Sequence, residues 1–168
     1  MQAAKGSKQF LLFRLLKDQA TKAGAKLAFQ TEHDLTETKD SESTNTKDGI
    51  LQTTGALETE ISATSILAVG DPMTNDLRQA LRNDEVVEIW EVDVNENSEE
   101  GKYAATYFQG YVTEYSKNPN SDDSVEIELT FAINGLGQFG EVTLTAEQEE
   151  VVQYTFTDIQ AVPADPEP

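Results

Sequence analysis

Apolar positions alternate with polar ones along much of the chain, and the pattern is most telling between residues 26 and 67. Residues 26–35 and 56–67 are strand-like halves in which apolar side chains are spaced by polar ones. Between Thr36 and Gly49 no aliphatic or aromatic residue occurs. This predicts a large β-hairpin with a long polar apex. Such an apex has nothing to bury in its own domain, so it is solvated or ordered by a neighbour. Extended hairpins of this kind usually serve assembly.

The remaining pattern is mostly strand. Residues 10–16 form a short apolar run that fits a strand buried on both faces, although its periodicity also admits a helix. One convincing helix follows the hairpin. Asp71 can cap it, Pro72 suits its first position, and Met73, Leu77, Ala80 and Leu81 form an apolar stripe, with Asn83 as the stop. Arg78 and Arg82 lie four apart beside that stripe, a like-charge pair that an acidic neighbour would relieve. Residues 86–94 read as a β-branched strand and 95–101 as a polar turn. Residues 103–115 and 125–133 make a second hairpin, joined by a segment holding Pro119 and an Asn/Asp/Ser cluster. On the return strand Val125, Ile127, Leu129, Phe131 and Ile133 alternate with Glu126, Glu128, Thr130, Ala132 and Asn134, so one face is core and the other wet. Gly135, Gly137 and Gly140 predict turns before a strand at 142–145, another strand is expected at 151–157, and the Pro-rich end 161–168 reads as a flexible tail.

Composition bounds the chemistry. The 168 residues suffice for one domain with a real core. With no cysteine, disulfides, thiolate metal sites and cysteine nucleophiles are excluded. The first residues lack the apolar segment of a signal peptide, and no run approaches the roughly 18 apolar residues of a membrane span. The reading is a protein made in the cytoplasm, with no membrane partner. Formal charge is −19, unevenly spread: residues 1–50 net +1 and residues 51–168 net −20. So acidic a surface repels nucleic-acid phosphates, and it also serves solubility.

Candidate chemistry is thin. His33 is the one histidine; without a second His or a thiol it reads as a polar strand residue. No phosphate-cradling glycine loop or nucleophile elbow occurs, and residues 40–48 lack the ordered ligands of a calcium loop. No enzyme activity and no cofactor are expected. Tyr103, Tyr107, Tyr111 and Tyr115 recur every four residues, which on a regular strand places all four on one face. Such a face suits sheet packing or subunit contact, and together with Arg78 and Arg82 it is the candidate contact surface. An alternative is a carbohydrate-binding or adhesive module using that face.

Several stretches, taken in order, resemble a known family. They are residues 6–12 (GSKQFLL), 29–36 (FQTEHDLT), the 43–49 tip (STNTKDG), the helix after Asp71-Pro72, 87–92 (VEIWEV), and 107–112 (YFQGYV) leading into 125–130 (VEIELT). Together they are similar to the major tail protein of long, non-contractile phage tails of Gram-positive hosts. The resemblance implies a β-sandwich or barrel-like tail-tube domain over residues 1–160. It implies a virion protein assembled into hexameric rings that stack into a tube, with an inner barrel built from the strands of all subunits.

Residues 36–55 match the family's inter-ring loop in position and polarity, with Asp40, Glu42, Asn45, Lys47, Asp48 and Gly49 at its tip. The implied partners are other copies of the chain, the tape measure protein, and the distal tail and tail-terminator or neck proteins. DNA would pass through without specific binding. The polar strand faces should then line the lumen: Glu32, Asp34, Glu58, Glu60, Glu126 and Glu128, with Ser62, Thr64 and Thr130. Leu57, Ile61, Ile127, Leu129 and Phe131 should hold the core behind them.

Overall fold

The structure is a computed structural model that describes residues 3–99 and 101–145. Its backbone is one antiparallel sheet of seven strands with one α-helix among the described residues. The strands are β1 (Gln9–Leu15), β2 (Ala25–Lys26), β3 (Gln30–Thr46), β4 (Gly49–Ile66), β5 (Val87–Glu99), β6 (Lys102–Asn118) and β7 (Glu126–Thr143), ordered β2-β1-β5-β6-β7-β4-β3. The mainly-β expectation with one helix therefore holds. The sandwich or barrel-like arrangement is not shown within one copy: the ladder is a single open sheet whose end strands β2 and β3 are not paired with each other.

Side chains bridge the gap between its ends. The Gln30 amide takes the place of a strand neighbour for β1, accepting from Leu11 N at 2.9 Å and donating to Leu11 O at 3.3 Å. Nearby, His33 Nε2 lies 3.0 Å from Glu91 Oε1, joining β3 to β5. The lone histidine is thus a structural strut at a seam.

The helix α1 (Pro72–Asn83) covers one face of the sheet, lying against β6 and β1. Asp71 caps it by accepting from Met73 N, and Asp84 ends it in the left-handed region. The predicted stripe buries Met73, Leu77 and Ala80, with Thr74 joining them and Leu81 only partly covered. Beneath it lie Leu11, Phe13, Leu15, Val87, Ile89, Phe108, Ile127, Leu129 and Phe131, with Phe13 and Phe131 stacked at 5.3 Å. A smaller cluster on the opposite face gathers Phe10, Leu12, Val92, Tyr103, Ala105 and Leu144. Having apolar residues on both faces, β1 resolves its ambiguity as a doubly buried strand.

Four expectations change. The apex at 36–49 is strand rather than loop: β3 and β4 pair as far as Thr46 and Gly49, and the turn is only Lys47–Asp48. Thr46 Oγ1 donates to Gly49 O at 2.7 Å and closes that turn, with Gly49 at φ 130. Second, Gly135, Gly137 and Gly140 do not end β7. They form an irregularity in which Asn134 faces Gln109 and Gln138 faces Tyr107, because Gly137 must lie directly against the Phe108 ring. Third, the strand expected over 26–35 is broken at Phe29, which adopts φ 52 between β2 and β3. The polar turn expected at 95–101 is largely strand too, since β5 continues to Glu99. The strand expected at 151–157 and the tail at 161–168 lie outside the described residues.

Candidate assembly surfaces

Directly paired residues of an antiparallel ladder point to the same face, so the register places every nominated acid. Glu32 faces Thr64, and Thr64 faces Glu128; Asp34 faces Ser62, and Ser62 faces Thr130. Glu60 pairs with Thr36 on one side and Ala132 on the other, Glu58 with Thr38, and Glu126 with Ile66. Glu32, Asp34, Glu58, Glu60, Ser62, Thr64, Glu126, Glu128 and Thr130 therefore share one face of the sheet, opposite the helix. Behind them Ile61, Ala63, Ile127, Leu129 and Phe131 are buried in the core, while Leu57 is only partly covered. None of the face positions on β3, β4 or β7 in these pairs is Lys or Arg.

One acid was missed. β6 carries a bulge at Thr113, so that Val112 pairs with Phe131 and Glu114 with Thr130. Glu114 thereby joins the acidic face, with Ser116 beside Glu128. Strict alternation would have sent Glu114 to the helix face. A bulge leaves no signature in polarity alone.

The same bulge breaks up the tyrosine row. Tyr103, Tyr107 and Tyr111 stay on the acidic side of the sheet, whereas Tyr115 crosses to the helix side, pairing with Leu129 beneath Arg78, whose guanidinium carbon lies 5.4 Å from its ring. Tyr103 is buried in the smaller core and Tyr111 is 38% exposed. Tyr107 lies 5.3 Å from Trp90 and donates its hydroxyl proton to Glu88 at 2.6 Å. Four tyrosines in four environments make no continuous stacking platform. Arg82 is exposed on the last turn of α1.

Around Glu88 the sheet holds a compact polar network that sequence reading did not single out. Glu88 is 3% exposed, and Arg14 grips both its oxygens, Nε at 2.5 Å and a terminal nitrogen at 3.1 Å. Arg14 also donates to Lys22 O at 3.2 Å and lies 5.0 Å over Trp90, tying the segment after β1 to the sheet. The hydrogen bond to Glu88 holds the Arg14 pKa above its ordinary value. Burial, reinforced by the Glu88 hydrogen bond, raises that of Tyr107.

The hairpin apex, with Asp40, Glu42, Asn45, Lys47, Asp48 and Gly49, is exposed on both faces. A bulge sets Asp40 opposite Gly55 and Ala56. Beyond it Ile50 and Leu51 stand in solvent at 69% and 56% exposure. Where β4 separates from β7, a hollow of about 380 Å³ lies beside Leu57, Thr59 and Ile133, and the buried Thr59 hydroxyl has no partner among the described residues. A second groove of about 570 Å³ runs along the seam between β1 and β3, past Lys26, Gln30, His33 and Glu91. Among the described residues no cluster of His, Asp or Glu could hold a metal ion.

The comparisons with known proteins agree with this picture. The family model for phage tail tube proteins matches residues 3–139. A protein of Staphylococcus phage phiMR25 assigned to the tail is 30% identical over 122 residues, covering 71% of this chain and 63% of that protein. The chain thus spans under two thirds of that relative's length. Among solved structures, the fold superposes on the SPP1 tail tube with a TM-score of 0.75 at 18% identity, covering 97% and 96% of the two chains. The tail of an empty gene transfer agent particle with C6 symmetry gives 0.65 at 14% identity, over 82% and 99%. The anti-feeding prophage baseplate, 6-fold symmetrised, gives 0.60 at 10% identity, over 85% and 97%. With its family's model matched over most of its length, this chain belongs to the phage tail tube proteins.

Proposed function

We propose that copies of this chain join side by side into six-membered rings, that the rings stack into a tail tube, and that the acidic sheet face lines the lumen. The observation that carries this reading is the collection of Glu32, Asp34, Glu58, Glu60, Glu114, Glu126 and Glu128 on one face of four neighbouring strands. A wall of one charge repels phosphate along its whole length, and a low-dielectric protein wall focuses that field into the bore. DNA then slides without finding a place to stick. The sixfold symmetry of two of the solved relatives supports the ring number.

Ring closure is a matter of edges. Among the described residues β3 leaves its whole outer edge unpaired, as do β7 beyond Ala132 and β4 over the hairpin apex on their facing sides. A head-to-tail contact that pairs such edges closes into a ring, continues the sheet from copy to copy, and completes the barrel that one copy leaves open. The inter-ring role belongs to the hairpin apex. Tape measure, distal tail and terminator proteins would meet the ends of the tube.

The experiment is a fourfold neutralisation, Glu58→Gln, Glu60→Gln, Glu126→Gln and Glu128→Gln, in phage particles. Tubes should assemble with unchanged diameter by electron microscopy, while DNA ejection slows. Ejection at the original rate would remove these residues from the lumen.

A further inference from the structure

Asn134 and Gly135 meet where β7 leaves its regular ladder. Asn134 still faces Gln109, but the next residue to face β6 is Gln138, opposite Tyr107, so residues 135–137 stand outside the pairing. Gly135 adopts φ 64, and apart from its chain neighbours no heavy atom lies within 4 Å of the place a Cβ would take. Asn134 is exposed, and among the described residues its carboxamide makes no hydrogen bond. By alternation it shares the face of Ala132, which pairs with Glu60. It is thus a neutral position on the acidic side of the sheet.

A free carboxamide before an unhindered glycine can react with its own backbone. Resonance makes a peptide nitrogen a poor nucleophile, and attack requires the peptide plane to turn toward the side chain. Glycine permits that turn and has no Cβ to screen its nitrogen, and the bulge leaves little pairing to break. No other asparagine of the chain precedes glycine. Asn118 precedes Pro119, which has no N–H. Asn75 and Asn83 are held in α1, and Asn120 Oδ1 is engaged by Asp122 N at 3.0 Å and Asp123 N at 2.8 Å. We propose that Asn134–Gly135 is a site of spontaneous deamidation, with water as the co-reactant, which adds a carboxylate to the acidic face. The Gly135 nitrogen gives its proton to water and bonds to Asn134 Cγ, while the Cγ–Nδ2 bond breaks and Nδ2 leaves as ammonia. Water then opens the cyclic imide at either carbonyl, giving aspartate or isoaspartate. The reaction needs no second copy, so it stands apart from the ring reading.

The test holds the purified, folded chain for days at neutral and at mildly alkaline pH, then digests it and reads the peptides by mass spectrometry. A second sample is kept unfolded in urea. The peptide containing Asn134 should gain about one dalton in the folded sample, faster at the higher pH because the attacking nitrogen must lose a proton. The gain in mass separates this step from isomerisation at Asp48–Gly49, which rearranges a carboxylate and leaves the mass unchanged. Asn134→Gln, an exposed substitution that lengthens the side chain, should lose the gain. The aged parent should still unfold cooperatively, because the unpaired residues 135–137 can take up the extra backbone carbon of isoaspartate. A gain confined to the unfolded sample, a gain mapped to another asparagine, or no gain at all overturns the assignment.

Discussion

Removing the Arg14 side chain tests the polar network on the acidic side of the sheet. Glu88 is 3% exposed and receives two bonds from Arg14, so among the described residues Arg14→Ala leaves a buried carboxylate with only the Tyr107 hydroxyl as partner. Breaking a buried pair this way costs about 3–5 kcal/mol. The Arg14 side chain is itself 20% exposed, so water can enter where it leaves, and the lower end, about 3 kcal/mol, is the expected loss. For a domain of this size that is a fall of roughly 6–12 °C in melting temperature. The double replacement Arg14→Met with Glu88→Leu removes both charges and should recover most of the loss, because two apolar groups need no compensation. Urea unfolding of the unassembled protein, followed by Trp90 fluorescence, measures all three. A single-variant loss below about 1 kcal/mol, in the range of an exposed pair, would refute the idea of a buried charge that needs Arg14.

Two further outcomes follow from local geometry. Gly137→Ala pushes a methyl group into the Phe108 ring and should cost about 1–3 kcal/mol, whereas Gly6→Ala, with open space around it, should be neutral; thermal unfolding compares them. Burial opposes ionisation of Asp93, but hydrogen bonds from Gln9 and from the backbone and side chain of Asn95 outweigh it and hold its pKa below the ordinary 3.8. Its contribution is therefore present above that value and lost as pH falls through the lower folded one, so Asp93→Asn should flatten the stability profile on the acid side only.

Legibility in the sequence followed the contrast between two faces. The run from Val125 to Asn134 shows one apolar and one polar face, and its register came out as its alternation predicts. The helix was marked by Asp71, Pro72 and its stripe. The apex was misread as loop because both its faces are wet, and a ribbon with no buried side has no apolar alternation to show. Its β-branched content, Thr36, Thr38, Thr44, Thr46, Thr53 and Thr54, was the available signal. Glu114 was missed and Tyr115 misplaced because of a single bulged residue, Thr113, whose effect is one of register and not of polarity. The Arg14–Glu88 pair was invisible for a different reason: its members lie 74 positions apart and are joined only by the β1–β5 ladder.

The hairpin's polarity also bears on when assembly can occur. A two-stranded ribbon is marginal by itself, and from Ser41 and Thr54 outward this one buries nothing in the single copy. Its edges would attract any passing strand, yet they carry Lys39, Asp40, Glu42, Lys47 and Asp48 and are bent by the bulge at Asp40, all features that oppose indiscriminate pairing. The acidic face adds a directional constraint, because two such faces cannot approach each other without bringing like charges together. Face-to-face association is thereby disfavoured and edge-to-edge growth is left open, the geometry a ring requires. Replacing apex polar residues by apolar ones would strengthen each contact but remove this selectivity, trading ordered rings for aggregates.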